Sequence, residues 1–213
     1  MGVIKQGILG PFSGKVGTVV GAIWKGIGTI RALPASVSNP RTEGQVNQRT
    51  KFSAALEFLQ PSLAFIQQGF RFYAKGMSAF NAAQSYVLKN AITGTAPNFT
   101  VDYATALVSR GKLEGVSTGA ASELALDLTV TWADNQELGN ARPDDKVMLL
   151  VYNPAKGESH IVLDDPAVRE TATLTTTLPA HYSGDTVQVY LAFQAADGSM
   201  VSDSSRVAEV LVG

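Results

Sequence analysis

Cysteine is absent from the 213 residues, so the chain has no disulfide framework and no thiolate metal site, and nothing follows about its redox compartment. Histidine occurs only at His160 and His181, leaving little material for imidazole-based zinc or Ser/His/Asp chemistry. No apolar run approaches the roughly 20 residues of a membrane span. The first eleven residues lack the apolar stretch and small-x-small site of a signal peptide. Gln6 also stands where a myristoylation signal wants Ser or Thr. These absences predict synthesis in the cytoplasm without membrane association. Later passage into a virion or an extracellular assembly is left open.

Acids are missing from the first 42 residues, and that absence belongs to a larger asymmetry. Residues 1–112 carry twelve Lys or Arg against three acids, a balance of +9; residues 113–213 carry five against fifteen, a balance of −10. The near-neutral total of −1 therefore hides an electrically polar chain. Such a molecule attracts copies of itself head to tail or offers its basic half to a polyanion. A composition of 45% apolar and 16% charged residues is that of an ordered protein with a lightly charged surface.

Three regions and a connector follow along the chain. Residues 1–40 form a glycine-punctuated basic arm, in which Val16 to Trp24 is β-branched enough to be a strand. Its glycines leave room for another backbone or a large side chain to approach, and its apolar residues need a groove or sheet edge to cover them. Residues 41–94 read as helical. Thr42, Glu43 and Gln45 open the segment, and Phe52, Ala55, Leu56, Leu59, Leu63, Ile66, Phe70 and Tyr73 advance by three and four along one face. Pro61 must kink or split this helix, and Ser78 opens a further one over Ala79–Ala91. Phe58, Phe65 and Phe72 recur every seven residues; they read either as a helix buried on two sides or as a stripe meeting another subunit.

Residues 95–115 read as a connector. From 116 the pattern turns to β, with an alternating strand from Leu124 to Trp132. Further candidates are 146–152, 159–163, 171–178, 186–194 and 206–212, separated by turn chemistry at Asn153–Gly157 and Ala196–Ser199. The predicted class is α+β: a Gly-rich N-terminal β arm, a small helical region and a C-terminal antiparallel sandwich over 116–213.

No catalytic or cofactor motif survives inspection. Gly10-Pro11-Phe12-Ser13-Gly14-Lys15-Val16 is one residue short of a phosphate loop, and Val16 replaces its Ser/Thr. Gly26-Ile27-Gly28-Thr29-Ile30-Arg31 lacks the third glycine of a dinucleotide fingerprint. Asp144-Asp145 and Asp164-Asp165 have no spaced ligand loop around them and read as solvated acidic turns, so neither metal nor cofactor is expected. The bases of the N-terminal half are scattered singly and no nucleic-acid module is legible, which makes nucleic acid the weaker partner expectation. No motif specifies a small-molecule ligand.

Two segments carry a family resemblance. Gly14-Lys15-Val16-Gly17-Thr18-Val19-Val20-Gly21 through Trp24-Lys25-Gly26 to Arg31-Ala32-Leu33-Pro34 is the first, and Asn39-Pro40-Arg41-Thr42-Glu43-Gly44-Gln45 through Gln48-Arg49-Thr50-Lys51-Phe52 is the second. Together they resemble an uncharacterised family of small Bacteroidota proteins. The second is also similar to an Asn-Pro-x-Thr-x-x-Gln-x-x-Arg element of some phage-associated structural proteins, with Arg49 one residue further along. The stretch Val187–Ser199 followed by Val201-Ser202 resembles the last hairpin of fibronectin type III domains, which implies an immunoglobulin-like sandwich.

The sequence thus predicts a non-enzymatic structural subunit whose partner is itself. Its expected interface comprises Lys15, Val16, Val19, Val20, Ile23, Trp24, Lys25 and Arg31 of the arm, with Phe58, Phe65 and Phe72 of the helices. The arm would complete a sheet or fill a groove on a neighbour, giving a ring, a filament or a phage-like particle component. The alternative is a monomeric module that binds a glycan or protein through the sandwich loops.

Overall fold

The computed structural model describes residues 2–4 and 10–213, so Met1 and residues 5–9 of the expected arm lie outside the described residues. The chain forms two compact units, Met1–Glu43 and Gly44–Gly213.

Helix α1 spans Glu43–Leu59, all but its first residue in the larger unit, and α2 spans Leu63–Gly69. The break between them falls at Pro61, which cannot continue the hydrogen-bond ladder. A single 3-10 turn follows at Arg71–Tyr73, and α3 spans Ala79–Asn90. Ser78 caps α3 through its Oγ, which accepts from the Asn81 N–H at 3.1 Å. A hairpin straddles the boundary between the expected helical region and the expected connector, paired as Ile92–Thr95 with Asn98–Val101.

The β part is a pair of antiparallel sheets. To keep chain order, strands of the N-terminal unit take the labels β1 (Gly2–Ile4), β2 (Gly14–Val16), β3 (Val19–Trp24) and β4 (Ile27–Ala32), and the hairpin just described is β5 and β6. The sandwich contributes β7 (Gly119–Leu124), β8 (Asp127–Trp132), β9 (Lys146–Asn153), β10 (Glu158–Val162), β11 (Thr173–Thr177), β12 (Thr186–Gln194) and β13 (Ser205–Leu211). One sheet runs β10-β9-β12-β13 and the other β11-β8-β7.

The single strand expected from Leu124 to Trp132 is one arm of a hairpin. The chain reverses at Ala125 and Leu126, both at positive φ (53° and 74°), so that Leu124 pairs with Asp127. Glu123 Oε1 secures the reversal by accepting from the Leu126 N–H at 2.6 Å.

Strands β9 and β12 explain the layering. Val147, Leu149 and Val151, with Val187, Val189, Leu191 and Phe193, pack toward the second sheet and enclose one core with Leu128, Val130, Trp132 and Leu174. The alternate residues Met148, Leu150, Tyr152, Tyr190 and Ala192 face the other way, into a core shared with Phe58, Phe65, Ile66, Phe70 and Val87 of the helices. A strand covered on both faces reads as a continuous apolar run, as Val147–Tyr152 does. The helices, the four-stranded sheet and the three-stranded sheet are therefore three layers sharing two cores, rather than a helical region beside a separate sandwich. Phe58 anchors the helical side: its ring meets Tyr152 edge-on at 5.0 Å and lies 5.7 Å from Tyr103. The Tyr190 hydroxyl, buried beside it, donates to the Tyr103 carbonyl at 2.8 Å.

His160 on β10 and Thr176 on β11 bridge the two sheets at their edges, with 2.9 Å between Nε2 and Oγ1. Burial lowers the His160 imidazole's pKa below its ordinary 6.5. As pH falls, the unfolded chain then takes up this proton before the folded one does, and stability falls with it. The loss begins near pH 6.5 and is complete once pH passes below the folded-state value. Urea midpoints at about pH 7.5 and about pH 5.5 should differ less in His160→Gln than in the unaltered chain. An unchanged difference would show that His160 carries none of the acid sensitivity.

Candidate functional site

The N-terminal unit holds most of the residues singled out by sequence. Its strands form one sheet in the order β1-β4-β3-β2. Two-residue turns close it at Gly17-Thr18 and at Lys25-Gly26, with positive φ at Gly17, Lys25 and Gly26.

Cross-strand register sorts the side chains, because directly paired residues of antiparallel strands share a face. Lys15 pairs with Val20 and Val20 with Arg31, while Ala22 pairs with Thr29 and Trp24 with Ile27. One face therefore carries Lys15, Val20, Trp24, Ile27 and Arg31. The other carries Val16, Val19, Ile23 and Ile30 with glycines at 14, 21 and 28. Lys25 sits in the turn, its Nζ 5.2 Å from the centre of the Trp24 ring.

The space beside the glycines was expected to admit another backbone or a large side chain, from the chain itself or from a neighbour, and side chains of the same unit take it. Phe12 lies against Gly21 so closely that a Cβ there would come within 2.6 Å of its ring, and Pro11 covers Gly28 in the same way. The Pro11-Phe12 segment folds back over its own sheet, so the close approach that glycine permits is used within the unit.

That fold-back covers little. Gly21 and Gly28 are the only buried residues among the described part of 1–43. Val3, Val16, Ile23, Trp24 and Ile27 remain 45–64% exposed. A unit of this size cannot normally hold itself together on such a core without a disulfide, a metal or an association.

The three phenylalanines separate. Phe58 and Phe65 are 1% and 0% exposed inside their own chain, leaving no surface for a neighbour, whereas Phe72 is 40% exposed. Phe58 and Phe65 thus pack in cis, and of the stripe Phe72 alone reaches solvent.

Asp145, expected in a solvated turn, is fully buried and paired with Arg169, Oδ2 to Nε at 3.0 Å, with both side chains at 0% exposure. Arg169 also donates from Nη1 to Asn135 Oδ1 at 2.6 Å and from Nη2 to the Glu114 carbonyl at 2.8 Å. Its guanidinium lies 3.9 Å from the centre of the Phe193 ring. Burial pulls its pKa below the ordinary value and Asp145 pulls it back up. The pair ties the 169–171 turn to the loops before β7 and β9. Asp165 Oδ1 accepts from the Ala167 N–H at 2.8 Å and shapes its own turn. His181 Nε2 lies 2.8 Å from Glu158 Oε2 on an exposed edge. Among the described residues no three of His, Asp and Glu converge as metal ligands, and no helix is long and apolar enough to cross a membrane.

The fold and its surface define a mixed α+β protein with a sandwich-like pair of sheets and a small, apolar, basic N-terminal sheet. The chain belongs to a family described as one of unknown function (DUF6266), whose model matches residues 11–208. No curated protein and no solved structure matches it.

Proposed function

We propose that this protein is a non-enzymatic structural subunit that associates head to tail, its N-terminal sheet binding the acidic sandwich of the next copy. The observation that carries this reading is the N-terminal sheet itself: almost nothing inside it is buried, and its exposed Val3, Trp24 and Ile27 share a face with Lys15 and Arg31, with no acid before Glu43. The complementary charge is available on the sandwich, where Asp127, Asp134, Glu137, Asp164 and Glu170 are exposed. Apolar burial at Val3, Trp24 and Ile27 would hold the contact, and the charges would steer and register it. The short edge strands β1 and β2 offer unpaired backbone for augmentation by a neighbour. A contact joining unlike surfaces closes into a ring or runs on as a filament, according to its rotation. A particle component of phage type and an extracellular fibre are both compatible with such a contact.

Sedimentation velocity on the full chain tests this. Association should rise with protein concentration and weaken with salt, since screening acts over about 8 Å at physiological ionic strength. Lys15→Glu with Arg31→Glu should weaken it by at least about tenfold without altering the fold. A monomer at every concentration, indifferent to that double change, would overturn the proposal and favour a monomeric glycan- or protein-binding module.

A further inference from the structure

A cavity of about 410 Å³ lies wholly within residues 44–213, between the Arg71–Tyr73 turn, the 110–112 segment and the loop leading into Val201. That volume falls in the range of small-molecule sites. Fastened walls, an apolar lining and a cationic rim give it the character of a preformed pocket for one kind of ligand.

Its walls are fastened to each other. The Arg71 guanidinium donates to the Gly198 carbonyl, the Gly111 N–H to Asp203 Oδ1 at 2.9 Å, and the Leu113 N–H to the Val201 carbonyl at 3.0 Å. Gly111 presses so closely on the Val201 carbonyl that no side chain fits between them. The opening therefore does not depend on a mobile loop.

Its lining is apolar and aromatic. Phe72 and Tyr73 border it at 40% and 38% exposure, and Met200 and Val201 line it with them. Arg71 lies 4.7 Å from the Phe72 ring centre and Arg110 lies 4.5 Å from that of Tyr73, so each ring has a cation against it.

Its rim is cationic. Lys75 and Lys112 both line the cavity, and neither ammonium has a carboxylate partner among the described residues. Two carboxylates of the adjoining loops are turned to backbone, Asp203 accepting from the Gly111 N–H and Asp197 from the Ser199 N–H at 2.8 Å. An apolar slot with unpaired cations at its mouth selects a molecule with a greasy body and one anionic end.

We propose that this pocket binds a small amphipathic anion, an aryl or alkyl carboxylate or sulfonate, with its apolar body against Phe72, Tyr73 and Met200 and its anionic end between Lys75 and Lys112. The assignment is independent of the assembly reading.

The test uses the full chain and two fluorescent probes of nearly the same body, 1-anilinonaphthalene-8-sulfonate and the uncharged N-phenyl-1-naphthylamine. The sulfonate should bind saturably at one site, and its amide shift changes in nuclear magnetic resonance should cluster at Phe72–Lys75, Gly111–Lys112 and Ser199–Val201. Lys75→Gln with Lys112→Gln, both at exposed positions, should weaken the sulfonate by about tenfold while leaving the uncharged probe within about twofold. Shift changes confined to residues outside the pocket, an equal effect of the double change on both probes, or no saturable binding of the sulfonate would each overturn the proposal.

Discussion

Arg169→Ala will destabilise the larger unit by about 3–5 kcal/mol, read as a fall in the urea midpoint followed by tryptophan fluorescence. The size of the effect comes from what the substitution leaves behind. Asp145 stays at 0% exposure without its counter-ion, and its Oδ2 keeps only the Arg142 N–H, at 2.9 Å. Its Oδ1 already lacks a hydrogen-bond partner among the described residues. The Asn135 Oδ1 and Glu114 carbonyl lose their donors in the same step. Removing the stranded charge should return part of the loss, so Asp145→Asn added to Arg169→Ala should be more stable than Arg169→Ala alone. A midpoint shift worth less than about 1 kcal/mol, or a double variant worse than the single, would mean that the pair is not desolvated as described. Trp132 reports the event directly, because its Nε1 donates to the Arg169 carbonyl at 2.8 Å.

Arg169 also marks the limit of what could be read from the chain. An arginine in a short connection between strands, next to Glu170, has the appearance of a solvated charge, and its partners at 114, 135 and 145 share no spacing with it. Only folding brings them together. By contrast, β12 is found at the bounds expected, Thr186–Gln194, because its β-branched and apolar run between turn residues has no competing period. The break at Pro61 and the Ser78 cap were equally legible, since each rests on local backbone chemistry. The β7–β8 reversal was not. Ala125 and Leu126 carry none of the Gly, Asn or Asp that usually supply positive φ, and the alternation of apolar residues runs straight through the turn. The same holds for the arm. Its glycines announced a close approach correctly, but nothing in the sequence said that Phe12 would make it at Gly21 and Pro11 at Gly28. The cavity between Phe72 and Met200 joins segments more than a hundred residues apart, which no motif spans.

Phe58→Ala and Phe72→Ala should separate by several kcal/mol in stability, although the two residues occupy equivalent places in the seven-residue repeat. Phe58 is 1% exposed and packs on Tyr103, Tyr152 and Tyr190, with ring centres 5.0–6.1 Å away. Truncation removes a full aromatic side chain from the layer where helices meet the sheet and leaves a cavity that the rigid β9 and β12 cannot collapse into, for a loss of about 3–5 kcal/mol. Phe72 is 40% exposed and borders an opening rather than filling a core, so its loss should cost less than about 1 kcal/mol. Equilibrium urea unfolding of the two variants checks this. If the phenylalanines were one stripe bound to another subunit, both variants would dissociate the assembly and neither would greatly destabilise the dilute chain. The geometry instead assigns Phe58 to holding the layers together and leaves Phe72 free for a ligand. The expected signature is thus an unfolding defect in one variant, and in the other an intact fold with weakened binding of the sulfonate probe.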